Sequence, residues 1–181
     1  MSELFEYLSK WKNLLLLTCL FLLFNFLLTN LMPKDYALDL LFAFSPEEAY
    51  NALSHLDLEQ RKLYRFGIWA LDMPYMFIYC FLFSGILLKV LKSKKWVLVP
   101  MFILVMDFFE NLMILRMLQL FPAQEETLAI IASCFTTMKW ILVGVVVLLI
   151  LFGIINLSTA RFHAFFFRRN QNLIFPSYCS F

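Results

Sequence analysis

The sequence predicts an all-α, polytopic membrane four-helix bundle with short helices in the outer loop between the first and second spans. Three observations carry that prediction. Hydrophobic residues make up 62% of the 181 residues and charged residues only 15%, against about 45–50% and about 25% in soluble domains. Mean hydropathy is +0.79. Four stretches, 14–31, 66–90, 96–121 and 128–155, approach or exceed the roughly 20 mostly apolar residues that a membrane helix needs. With 22 Phe and 18% aromatics, a small water-exposed fold has no core large enough to hide the apolar surface. An ordinary cytosolic enzyme, a disordered chain and a nucleic-acid binder are excluded, and a net charge of +2 exerts no strong pull on any polyion. The size fits a single four-helix transmembrane domain over 1–160, followed by a basic-aromatic cytoplasmic tail over 161–181.

The first span follows Lys10 and Lys12 and is interrupted only by Thr18, Asn25, Thr29 and Asn30. At about 18 residues it exceeds the roughly 7–15 of a signal-peptide core, and no A-x-A-like site follows, so it reads as a retained helix. Ser45-Pro46-Glu47-Glu48 then reads as an N-cap, a Pro at the first helical position and a capping acid three residues on. Asp57-Leu58-Glu59-Gln60 repeats that logic. Two short helices are expected over 46–54 and 58–70, the second running into span 2. Span 2 carries Asp72 as its only charge before Lys89. Pro74 cannot donate to the carbonyl of Ala70, which leaves two readings of Asp72 open. It is either the N-cap of a helix restarting at Met73, at the outer interface, or a member of a buried cluster. Span 3 carries Asp107, Glu110 and Arg116, and span 4 carries Lys139. In the tail, bases and aromatics alternate from Arg161 to Arg169, and Arg161, Arg168 and Arg169 read as a lipid-interface anchor.

Basic residues set the expected orientation. Lys10, Lys12, Lys89, Lys92, Lys94, Lys95, Arg161, Arg168 and Arg169 all fall on one side, against Glu3 and Glu6. The other side sets four bases against eight acids. Both termini are therefore expected in the cytoplasm, with a bacterial inner membrane as the location.

Ionisable residues inside a bilayer are costly and face the bundle interior. Counted from the outer end, Asp72 lies about two turns deep, Lys139 about three, and Asp107 and Glu110 about three to four. Asn25 is at a similar level. Asp107, Glu110 and Asn111 share one face of span 3, and Asp72, Tyr75 and Tyr79 share one face of span 2. Thr136 lies one turn before Lys139. The expected site is thus Asp72, Tyr75, Tyr79, Asp107, Glu110, Asn111, Lys139 and Trp140. Three acids face one lysine, so at least one acid is expected to hold a proton, or the site to attract a cation, since desolvation and like-charge repulsion disfavour full ionisation. Arg116, roughly opposite Asp107 and nearer the surface, is expected to snorkel outward.

Several chemistries drop out. Cys19, Cys80, Cys134 and Cys179 form no C-x-x-C pair, which argues against a thiol oxidoreductase. The first three read as core packing. His55 and His163 lie outside the spans and on opposite sides, so neither a metal site nor a haem site with His ligands is expected, and no cofactor is implied. No G-x-S-x-G, P-loop or dinucleotide signature occurs.

Three motifs stand in order: Asp72-Met73-Pro74-Tyr75, Asp107-Phe108-Phe109-Glu110-Asn111 and Thr136-Thr137-Met138-Lys139-Trp140. The set resembles an uncharacterised bacterial family of four-helix integral membrane proteins with D-x-x-[YFP], D-x-x-E-N and T-x-x-K-W in successive helices. The resemblance covers about residues 45–155. It implies the same architecture and the same polar residues, and brings no activity with it.

Three functions remain open at this level. The cluster can hold a lipid-like or small amphipathic ligand, with acid–base catalysis a further step if the protein is an enzyme. It can serve proton- or cation-coupled transport, although Gly-poor helices and the lack of an inverted repeat count against that. It can also be packing glue in a structural or accessory subunit, since only four Gly are available for close helix packing. Membrane lipid is the expected partner, nucleic acid is not, and the sequence leaves the oligomeric state and catalytic role undetermined.

Overall fold

The computed structural model describes residues 7–33 and 36–174, with side chains as far as residue 159. Among these residues the fold is an all-α bundle with four helices long and apolar enough to cross a membrane. Helix α1 is Trp11–Leu31. The short helices α2, Pro46–His55, and α3, Leu58–Gly67, follow. A π-helical turn, Ile68–Asp72, joins α3 to α4, Met73–Leu91. A 3₁₀ turn at Lys94–Val97 leads into α5, Leu98–Leu120, and α6 is Glu126–Ile174.

Both capping boxes form. The Ser45 hydroxyl accepts from the Glu48 N–H at 3.2 Å, and the Ser45 N–H donates to Glu48 Oε2 at 2.7 Å. Asp57 and Gln60 make the same reciprocal pair at 2.8 and 2.9 Å. The backbone N–H and hydroxyl of Ser45 hold the exposed Glu48 carboxyl below its ordinary value.

Pro74 does not break the second span. The turn before it widens, and the Met73 N–H reaches the Ile68 carbonyl five residues back. Such π-bulges keep a helix continuous where a regular i→i−4 bond is lost. Asp72 therefore keeps a right-handed helical backbone and caps nothing. It is only 7% exposed. The N-cap alternative for Asp72 is corrected on both counts.

The two ends of the bundle are built differently. At one end the 1–2 loop folds back over the helices. The Tyr50 hydroxyl accepts from the Glu125 N–H at 2.6 Å and donates to the Glu125 carbonyl at 3.0 Å, tying α2 to the α5–α6 loop. Burial pushes the Tyr50 hydroxyl above its ordinary value. Arg61 donates to the Leu56 carbonyl at 2.7 Å and lies 4.5 Å from the Phe121 ring centre. Gly67 permits close approach here, since a Cβ on it would lie 2.0 Å from Met32 Sδ. At the other end Lys89 donates to the Ser9 carbonyl at 3.1 Å and sits 3.7 Å from the Trp11 ring centre. The lysine-bearing 2–3 loop and the start of α1 thus share an end. Gly153 brings α6 against Val90 and Leu91 at that same end.

Helix α5 packs along α6 and α4, while α1 packs mainly on α4. Only Leu14 of α1 is buried, and Leu15, Leu22, Leu23 and Phe26 are exposed. Leu148, Leu151, Phe152 and Ile155 of α6 are exposed as well. Bare apolar surface of this extent belongs in lipid. Cys80 is buried, but Cys19 and Cys134 are exposed on the apolar helix faces, which corrects their assignment to core packing. The 49 residues of α6 extend about 73 Å at about 1.5 Å each, well beyond a hydrocarbon core of about 30 Å. The backbone passes residue 155 without a break. The interfacial role expected of Arg161, Arg168 and Arg169 concerns side chains outside the described ones, and residues 175–181 lie outside altogether.

Candidate functional site

Helical spacing on α5 puts Asp107, Glu110 and Asn111 on the face turned into the bundle, and all three are buried. Lys139 reaches them from α6. Its Nζ lies 2.7 Å from Glu110 Oε2 and 3.1 Å from Asp107 Oδ1. It also donates to the Asp39 backbone carbonyl at 3.4 Å. The contacts to Asp107 and to the Asp39 carbonyl are hydrogen bonds, and that to Glu110 is an ion pair. Thr136, one turn earlier, is buried and donates to the Ala132 carbonyl at 2.9 Å, so it supports α6 rather than the cluster.

Helix α4 supplies the opposite wall. The Tyr79 hydroxyl donates to Asp107 Oδ2 at 2.8 Å, which fills the second oxygen of that carboxylate. Asp72 Oδ2 accepts from Asn111 Nδ2 at 2.6 Å. The half-buried Tyr75 hydroxyl accepts from Asn25 Nδ2 of α1. The Tyr75 ring also packs against Phe21, Phe24 and Tyr79.

These groups border a cavity of about 360 Å³, within the range of about 300–1,000 Å³ usual for small-molecule sites. Helix α1 contributes Phe21, Asn25, Leu28, Thr29 and Met32 to its wall. Helix α4 contributes Asp72, Tyr75, Tyr79 and Phe83, and α5 contributes Ile103 and Asp107. Lys139, Trp140 and Val143 come from α6, and Ala37, Asp39 and Leu40 of the 1–2 loop close the top. Trp140 stands at the edge, partly exposed, with its ring centre 5.7 Å from Lys139 Nζ.

The expected site residues thus fall into two tiers. Asp72, Tyr75, Tyr79, Asp107, Lys139 and Trp140 face the cavity. Glu110 and Asn111 do not line it; they grip Lys139 and Asp72 from behind. Arg116 is exposed and donates to Gln119, so it stays outside the cluster. One acid escapes the sequence reading, which places Asp39 among the outer-loop charges. A 3₁₀ turn, Leu38–Leu40, lowers it into the site. The buried Tyr64 fixes that turn by donating to Asp39 Oδ1 at 2.8 Å and accepting from the Leu38 N–H at 2.9 Å. Phe44 and Phe42 are tied to Ser133 and Thr137 of α6, which holds the rest of the loop in place. The signal was present in Ala37-Leu38-Asp39-Leu40-Leu41-Phe42: a lone acid in an apolar run is poorly suited to a solvated loop.

The arrangement pairs one amine with two carboxylates, Asp107 and Glu110, and sets two further acids, Asp39 and Asp72, in the cavity wall. The cavity wall is largely aromatic and aliphatic, with a few charged and hydrogen-bonding groups set into it. Compared with known protein families, curated proteins and solved structures, the chain matches none.

Proposed function

We infer that this integral membrane protein is a pocket protein that holds a small amphipathic or lipid-like molecule among α1, α4, α5 and α6. The observation that carries this reading is a largely apolar cavity with a few charged groups in its wall. Asp72, Asp107 and Lys139 line it together with Phe21, Leu28, Phe83, Ile103 and Val143. Ligand sites combine apolar lining with a few placed polar groups in this way. Ionisable groups held at this depth also suit a functional site.

The test is purification in native lipid, followed by mass spectrometry of co-purifying small molecules and by melting with and without them. The variant Asp107→Asn with Glu110→Gln should lose both the enriched molecule and its stabilising effect. An unchanged lipid profile and unchanged ligand-induced stability in that variant would sink the reading.

The location proposed is a bacterial inner membrane, with both termini cytoplasmic and the 161–181 tail on the same side. Support comes from the excess of lysine and arginine at that end. Reporter fusions at the N-terminus and within residues 122–125 should report opposite compartments.

A further inference from the structure

The amphiphile of that pocket can be narrowed by asking which polar atoms are already occupied. Among the described residues Lys139 is the one basic side chain at the cavity wall, and it is already engaged by its ion pairs to Glu110 and Asp107 and by the Asp39 carbonyl. Nothing cationic remains there, among the described residues, to receive an anionic headgroup. The acceptors are in the opposite state. Asp72 is 7% exposed and faces the cavity. Its Oδ2 is held by Asn111, while Oδ1 has no partner among the described residues. Tyr75, a few residues along the same helix, accepts from Asn25, and no described group accepts its hydroxyl proton. Of the four acids here, Asp39, Asp72, Asp107 and Glu110, only Asp107 and Glu110 have their carboxylates paired with the amine. Such a site favours an added cation that also brings N–H donors.

The apolar part of the cavity has a direction. Helices α1 and α6 both line the cavity but make no extended contact with each other. Phe21 and Leu28 of α1 and Trp140 and Val143 of α6 are the apolar lining these two helices supply. The outer faces of both helices are the exposed apolar faces of the bundle. A molecule in the cavity can therefore leave its chain pointing sideways into hydrocarbon. At about 360 Å³ the cavity matches roughly a dozen small volumes of about 30 Å³, a water's share of liquid.

We propose that the pocket takes single-chain amphiphiles with a protonated amine head, that Asp72 Oδ1 receives the ammonium group, and that the chain lies in the seam between α1 and α6. This rests on the pocket reading above. It adds the sign of the headgroup, the atom that binds it and the lateral route.

The experiment uses three probes of equal chain length, dodecylamine, dodecanol and dodecanoate, on the full chain in nanodiscs of zwitterionic lipid. Affinity is read by native mass spectrometry, and the shift in melting midpoint is read in parallel at pH 7. The expected result is one bound amine per chain, at least tenfold tighter than the alcohol, with the carboxylate weakest. Asp72→Asn should remove the tenfold preference and leave dodecanol binding within about twofold, which also certifies that the pocket has folded. Equal binding of amine and alcohol, or tighter binding of dodecanoate, would overturn the head-group assignment while leaving the pocket reading intact. An amine preference that survives Asp72→Asn would overturn the assignment of that residue. Should that variant not fold, the wild-type ranking decides the head-group chemistry, and Tyr75→Phe, expected to weaken the amine more than the alcohol, decides the position. Binding of none of the three would end both readings.

Discussion

Removing Lys139 tests whether the polar cluster acts as a unit. In Lys139→Met an unbranched apolar side chain takes the place of the lysine stem, and the charge disappears. Asp107 and Glu110 then lose their ion pair together, at 3.1 and 2.7 Å. Glu110 is fully buried, and neither of its carboxylate oxygens has a hydrogen-bond partner, so the ion pair with Lys139 is its compensation. Deleting one member of a buried pair costs about 3–5 kcal/mol, because the charge left behind is uncompensated. One amine serves two carboxylates here, so the upper end, about 5 kcal/mol, is expected, a large share of the about 5–15 kcal/mol that holds a typical domain. The triple replacement Asp107→Asn, Glu110→Gln and Lys139→Met removes every charge of the triad and keeps an acceptor for Tyr79. Its cost should fall to about 1–2 kcal/mol, the scale of one or two imperfect hydrogen bonds. Reversible unfolding in mixed micelles, titrated with SDS and followed by circular dichroism, measures both variants. A single variant costing less than about 1 kcal/mol, or a triple variant no more stable than the single one, would refute the coupling.

Three further outcomes follow from other parts of the molecule. Tyr50→Phe strands the part-buried N–H and carbonyl of Glu125 and should cost about 1–3 kcal/mol. Because the Tyr50 hydroxyl is pushed up by burial, its contribution is complete below the ordinary value of about 10 and is lost as pH rises through the native value; melting between about pH 9 and 12 should show the loss in wild type and not in the variant. Glu48 has the opposite sign. Its carboxyl is held low by Ser45, so its support of α2 is complete above the ordinary carboxylate value and is lost as pH falls through the native one, and amide exchange in α2 should accelerate there, an acceleration absent in Glu48→Gln. Finally, Gly67→Ala puts a Cβ 2.0 Å from Met32 Sδ, whereas Gly144→Ala meets nothing within 4 Å. The first should cost about 1–3 kcal/mol through overpacking, while the second should be neutral or stabilise by up to about 1 kcal/mol, compared by SDS titration.

The four spans and the two surface helices were legible because each rests on local chemistry. Apolar length marks the spans, and Ser45-Pro46-Glu47-Glu48 and Asp57-Leu58-Glu59-Gln60 mark the short helices. The meeting of Glu110 and Lys139 was legible for a related reason: two buried charges of opposite sign at matching depth have few other places to go. Asp72 was ambiguous because Pro74 removes one donor, and sequence does not reveal whether a helix answers by stopping or by widening. Asp39 was missed since its position depends on Tyr64, 25 residues away. The placement of Glu110 and Asn111 behind the cavity was also hidden. Helical spacing gives a shared face, but which member of that face fronts the cavity depends on where α1 sits. Helix α1 carries weak information of that kind, being apolar nearly all round.

The distribution of unfilled acceptors separates a clasp from a site. A clasp between α5 and α6 needs Lys139, Asp107 and Glu110, and those three already pair across that interface. Asp72 and Asp39 add nothing that this pairing requires. Asp72 adds a buried carboxylate, and desolvating a charge without a counter-ion costs free energy that packing does not return. Asn111 reduces that cost with one hydrogen bond from behind the cavity wall, and Tyr64 holds Asp39 from the loop side. The wall between them stays lined by acceptors, and opposite it α1 forms a thin, poorly buried partition rather than a packed layer. A fold selected only for stability would gain by replacing Asp72 with a leucine and closing α1 onto α6. This chain holds the acid in place and the helices apart, a combination that becomes favourable once a cationic amphiphile occupies the space between them.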